Sequence, residues 1–122
     1  MRIALTLLLV LAAAPALAEW VRVGSTDAAV HYVDPATLEK HGSLRRITAL
    51  QDMNAANGTG VMSIVSLQEY DCADGRSRYL SLTAHSRPMA RGEVLAEQSL
   101  RDRWTPQPRG AKASISKIVC ER

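Results

Sequence analysis

A chain of 122 residues with two cysteines can be stapled only once, and whether it is depends on where it folds. The first residues predict that place. Met1-Arg2 is charged, Ile3 through Ala14 is apolar except for Thr6, and Pro15 precedes Ala16-Leu17-Ala18. A charged start, a short apolar core and a small-x-small site read as a secretory signal peptide, cut after Ala18. The apolar run is about a dozen residues, against roughly 20 for a bilayer span, and no cysteine stands at the cut for a lipid anchor. The expected product is a soluble exported domain, residues 19–122, periplasmic or secreted. In an oxidising compartment Cys72 and Cys120 can pair, closing a loop of about 48 residues worth roughly 4 kcal/mol of chain entropy. Two free thiols, or pairing between chains, are the alternatives.

Composition removes several classes. One domain fits the length. Charged residues at 22% and apolar residues at 47% exclude a disordered tail. Two cysteines make neither a disulfide-dense scaffold nor a four-cysteine zinc site. A net charge of +3 is too small to argue for nucleic acid, and export makes that target remote.

No linker or repeat interrupts residues 19–122, and the pattern is short β-like runs between turn residues. Trp20 to Val23 reads as a strand, and Val30 to Asp34 as a second. Asp34-Pro35 then reads as an N-cap with proline at the first helical position, predicting a helical turn. Leu44 to Met53 follows, with Ile47, Ala49 and Met53 on one face. Asn57-Gly58 favours a hairpin reversal over a glycosylation site. Val61 to Cys72 is the strongest strand, apolar on both faces in its first half and therefore central. Arg78 to His85 alternates again, and Glu93 to Gln98 is a candidate sixth strand after Gly92. Pro106 and Pro108 argue against regular pairing beyond Trp104-Thr105. Near the end, Ile115, Ile118 and Val119 take helical spacing. The expected fold is α+β: an antiparallel sheet of five or six strands with a C-terminal helix tied to it by a disulfide.

This order of features resembles the surface-adhesin protein E family. The matching pieces are Trp20-Val21-Arg22-Val23, Val30-His31-Tyr32-Val33-Asp34, the strand Leu44 to Asp52, and Ser66-Leu67-Gln68-Glu69-Tyr70-Asp71-Cys72. Arg78 to His85, the Gly92 turn, Trp104-Thr105-Pro106 and Ile118-Val119-Cys120 complete the set. The resemblance implies the same sheet, helix and disulfide. It also implies an adhesin that binds host matrix proteins and haemin and can form a homodimer. Two features depart from that adhesin: the absence of a lipid-anchor cysteine, and the uncharged stretch Asn54 to Gly60 where the adhesin is basic and bears a tyrosine.

The sequence contains no Gly-x-Ser-x-Gly elbow and no phosphate loop. His31, His41 and His85 are far apart, and none forms an i, i+4 pair. The expectation is therefore a non-enzymatic binding protein with no catalytic residues, metal or required cofactor. Its candidate partner surface is a basic patch of Lys40, Arg45, Arg46, Arg87, Arg91, Arg101 and Arg103, suited to a host matrix protein or an envelope component. Changing Arg45 and Arg46 to Ala should weaken an anionic partner without unfolding the domain. A sheet edge is the other candidate surface. The alternative function is small-ligand carriage of the haem type, with His31 and His85 as ligands. Trp20 and Trp104 are expected to pack in the core or at a sheet edge.

Overall fold

The computed structural model describes residues 18–55, 58–106 and 108–122. The leader through Leu17 and the Asn57 half of the Asn57-Gly58 turn lie outside the described residues.

Alternation along the chain becomes a single antiparallel meander. Its strands are β1 (Val21–Ser25), β2 (Ala29–His41), β3 (Leu44–Met53), β4 (Ser63–Asp71), β5 (Arg76–Arg87) and β6 (Arg91–Ser99), side by side in chain order. A two-residue strand, β7 (Thr105–Pro106), pairs with Arg76 and Ser77 of β5 below the end of β6. Among the described residues the sheet thus has six main strands, within the five or six expected, and a short seventh that the sequence does not predict. Pro106 is tolerated because β7 is an outer strand, where a missing N–H interrupts nothing.

β2 corrects the expected helical turn. It continues through Pro35 to His41, and its register against β3 slips between Asp34 and Glu39. The Asp34 carboxylate accepts the Ala36 N–H at 3.1 Å, the Thr37 hydroxyl donates to the Asp34 carbonyl at 2.7 Å, and the Thr48 N–H donates to Thr37 Oγ1 at 2.9 Å. Side chains thereby replace the ladder bonds that proline cannot make, and the excursion becomes a bulge within a strand.

The register places Val33, Ala49 and Ser66 in one row and Ile47 beside Gln68 in the next, all on one face. The helix α1 (Ala111–Glu121) lies on this face. Ile115 and Val119, one turn apart, pack with Val33, Ile47, Ala49 and Tyr70, bordered by Val23, Leu38 and Cys120. The disulfide between Cys72 and Cys120, with α-carbons 5.6 Å apart, joins the last turn of α1 to the residue after β4.

The opposite face is organised around a charge. Glu69 is 1% exposed and lies between two guanidiniums. Arg46 Nε is 2.8 Å from Oε2, and Arg78 Nη2 is 2.7 Å from Oε1. Arg78 and Arg76 also stack on the Trp104 ring, at 4.3 and 4.6 Å from its centroid, which fixes Trp104 at the sheet edge. Next along β4, buried Asp71 pairs with Arg76 and accepts the Ala73 and Asp74 N–H groups of the turn.

The β5–β6 connection is held from beneath. Met89 and Ala90 have φ of 58° and 60°, a left-handed backbone that side chains disfavour. Asp52 accepts the Met89 N–H at 2.8 Å, and fully buried Ser63 accepts the Ala90 N–H at 3.0 Å while donating to the Arg87 carbonyl at 2.7 Å. Gly92, with φ of 76°, leaves no room for a side chain, since a Cβ would lie 2.3 Å from Ser86 Oγ.

Three variants test this arrangement. Burial alone would raise the Glu69 pKa, but hydrogen bonds and charge from Arg46 and Arg78 outweigh it and lower the value. A depressed carboxylate contributes stability that is complete above the unfolded pKa, near 4.5, and is lost as pH falls through the folded value. Glu69→Gln should therefore cost about 3 kcal/mol in urea unfolding at pH 7. Its deficit should shrink as pH falls below about 4.5 and on through the lower folded value, where the wild type loses the same advantage. Gly92→Ala should cost about 2 kcal/mol or more in the same assay. Gly42→Ala, at φ of 59° with nothing within 4 Å, should cost only the conformational penalty of about 1 kcal/mol.

Candidate binding surfaces

The seven basic residues do not form one patch. Lys40 and Arg45 face each other at the β2–β3 end of the sheet, whereas Arg87 and Arg91 face each other across the β5–β6 turn at the other end. The nine residues of β4 separate those ends by roughly 30 Å. Arg45 and Arg46 are neighbours in a strand, so they lie on opposite faces. Arg45 turns Nη1 onto the Gly42 and Leu44 carbonyls, and Arg46 is committed to Glu69. Replacing Arg46 would therefore take one of the two ion-pair partners from buried Glu69, a structural role that the sequence reading did not assign to it. Lys40 is exposed at its own end, while Arg87, Arg91, Arg101 and Arg103 are exposed on the turn before β6 and the segment after it.

The two strand histidines also part. His31 is in the row with Gln51, Ile64 and Ala84, and His85 is in the adjacent row with Ser63, Asp52 and Val30. Adjacent rows point to opposite faces, so the two rings do not converge on one ligand. The buried carboxylates Asp34 and Glu69 are already engaged, Asp34 in the β2 bulge and Glu69 with its arginines. Burial lowers the His31 pKa, which leaves the ring neutral at pH 7. His41 is paired only with exposed Glu39, at 3.8 Å. Among the described residues no cluster of His, Cys, Asp and Glu is grouped to hold a metal ion, and no helix is long and apolar enough to cross a membrane.

Two features were not read from the sequence. The first is a hollow of about 230 Å³ between the first turns of α1 and the sheet. His31 borders it, and Ser66 and Gln68 line its floor as part of a hydrogen-bonded row along β4 that ends at Tyr70 outside the hollow. Tyr70 donates to Gln68 Oε1 at 2.5 Å, and Gln68 Nε2 donates to Ser66 Oγ at 2.9 Å. Burial pushes the Tyr70 hydroxyl far above its ordinary pKa, so it remains a donor. The signal was present as Ser66, Gln68 and Tyr70 on one face of the strongest strand, a polar stripe where a core was expected. At this volume the hollow is below the usual range for drug-sized ligands, about 300–1,000 Å³, and gives no seat for a macrocycle such as haem.

The second feature is the degree to which β6 stands clear. Every one of its nine residues is exposed, Val94 at 52% and Leu95 at 43%. One side pairs with β5, and among the described residues no further strand lies beyond it in the sheet. Its sequence signal was the mixture of Arg91, Glu93, Glu97 and Gln98 with Val94, Leu95 and Ala96, a composition that neither face of a core accepts.

Comparison with known proteins agrees with this architecture. The family model of surface-adhesin protein E matches residues 20–121. The selenomethionine form of Haemophilus influenzae protein E is similar with a TM-score of 0.56 at 9% identity, covering 81% of this chain and 90% of that one. Crystal form II of the same protein gives 0.52 at 9% identity, with 87% and 97% covered. Identity this low speaks for the fold alone. No curated protein sequence matches significantly. The family match extends from the start of the first strand to the last residue of the stapled helix, and the chain belongs to the surface-adhesin protein E family.

Proposed function

We propose that the chain is an exported, non-enzymatic binding module, working in the periplasm or after secretion once residues 1–18 are removed. Its working surface is the open edge of β6. The observation that carries this reading is the exposure of all nine β6 residues, including Val94 and Leu95, on a strand that among the described residues is paired on one side only. An unpaired edge offers a row of N–H and C=O groups to an incoming extended segment, and exposed side chains on alternate faces supply selectivity. The bonded turn at Ser63 and Asp52 presents the start of this edge in a fixed geometry. Arg87 and Arg91 at the turn, with Arg101 and Arg103 beyond the strand, add positive charge at its two ends, which favours a segment with acidic flanks. The disulfide supports export, since such bonds persist in oxidising compartments.

The partner in this reading is a protein with an extended segment, a host matrix protein or an envelope component. A second copy of the chain would use the same edge. Glu93, Glu97 and Arg91 restrain indiscriminate pairing by placing charge along it.

Val94→Lys combined with Leu95→Glu should reduce binding to a panel of immobilised basement-membrane proteins at least tenfold, read by surface plasmon resonance. Stability should stay within about 0.5 kcal/mol of wild type, as for exposed positions generally. Lys40→Ala, at the far end of the sheet, should leave binding intact. Equal binding by wild type and the double variant would remove β6 as the site, and an equal loss with Lys40→Ala would point to charge alone.

A further inference from the structure

The hollow beside α1 has a chemical character that the β6 reading does not use. Its walls are apolar where Ile64 and Leu82 of the sheet meet Ala111 and Ile115 of the helix. Lys112 is at its border, and no aspartate or glutamate lines it. The Lys112 ammonium sits 3.9 Å from the centroid of the Tyr79 ring, which holds it in place. Among the described residues, no carboxylate is within ion-pair distance of that ammonium. Asp102 acts on it only at longer range, and burial is the larger influence, lowering the Lys112 pKa. A cation partly stripped of water and lacking an ion-pair partner is better satisfied by an anion than by a neutral group. The floor adds a neutral donor, because Gln68 spends one N–H on Ser66 and retains a second. His31, uncharged at pH 7, neither repels nor replaces the cation.

Size narrows the class further. A dry protein cavity of about 150 Å³ takes benzene, so by the same ratio about 230 Å³ suits some nine or ten non-hydrogen atoms. We propose that this hollow binds a small amphipathic monocarboxylate, with its apolar body between Ile64, Leu82 and Ile115 and its carboxylate at Lys112 Nζ. The site is independent of β6, so either can fail alone.

The test titrates the mature chain with octanoate, 1-octanol and octylamine, which share a tail and differ in charge, while backbone amide shifts are followed by NMR. Octanoate should produce saturable shifts at Ile64, Leu82 and Ala111 to Ile115 and bind at least tenfold more tightly than octanol or octylamine. Lys112→Met keeps the stem over Tyr79 but removes the charge, and should bring octanoate down to the affinity of octanol. Lys112→Arg should stay within about threefold of wild type, since it retains the cation. The proposal is overturned by equal affinity for the three ligands, by an unchanged affinity in Lys112→Met, by octanoate shifts confined to β6, or by no saturable shift.

Discussion

The bond between Cys72 and Cys120 is the constraint on which the rest of this small domain depends. A helix of eleven residues is marginal in water, and α1 begins at Gly110 without a side-chain cap. Its hold on the sheet otherwise rests mainly on two buried side chains, Ile115 and Val119, with Lys112 over the Tyr79 ring. A covalent link across 48 residues adds about 4 kcal/mol by loop closure, comparable to the lower limit of a domain's total stability. With α1 fixed, Val33, Ile47, Ala49 and Tyr70 are covered. The hollow beside Lys112 also exists only because the helix is held against the sheet while its first turns leave a gap over β4.

One helix covers only part of one face, and the chain has no phenylalanine with which to build a second layer. The opposite face is held differently. Glu69 is buried by arginines instead of by apolar side chains, and one of them, Arg78, is in turn laid on Trp104. Aliphatic stems cover the surface while charged groups pair at its centre. This solution reaches from β3 to β5 and stops there, so β6 receives cover from neither side. The exposure of β6 follows from how little material the chain has for covering its sheet.

Much of the architecture was legible in the sequence because period-two alternation is a direct consequence of strand geometry. β3 begins and ends where Leu44 to Met53 predicted, and β4 falls within Val61 to Cys72 and lies inside the sheet, as its pattern predicted. The misreadings occurred where a local signal has two structural meanings. Asp34-Pro35 caps a helix in one context and bridges a bulge in another, and the choice was made by Thr37 reaching Thr48 on the next strand. Arg45 and Arg46 looked like a pair because they are adjacent, yet adjacency in a strand guarantees opposite faces. His31 and His85 were separated by a one-residue offset in register, which no single-strand pattern contains. The hollow was illegible for a similar reason, since it depends on where the helix crosses the sheet and not on the helix pattern itself.

The measurement that bears most directly on the stapled helix is native-state hydrogen exchange of the α1 amides in oxidised and in reduced protein. The account predicts that in the oxidised form the amides from Ile115 to Cys120 are protected as strongly as those of β3 and β4. On reduction, helix protection should fall by about a thousandfold, the equivalent of about 4 kcal/mol, and by more than protection in the strands. Helix amides that keep their full protection with both thiols free would show that packing alone holds α1, and would contradict the account.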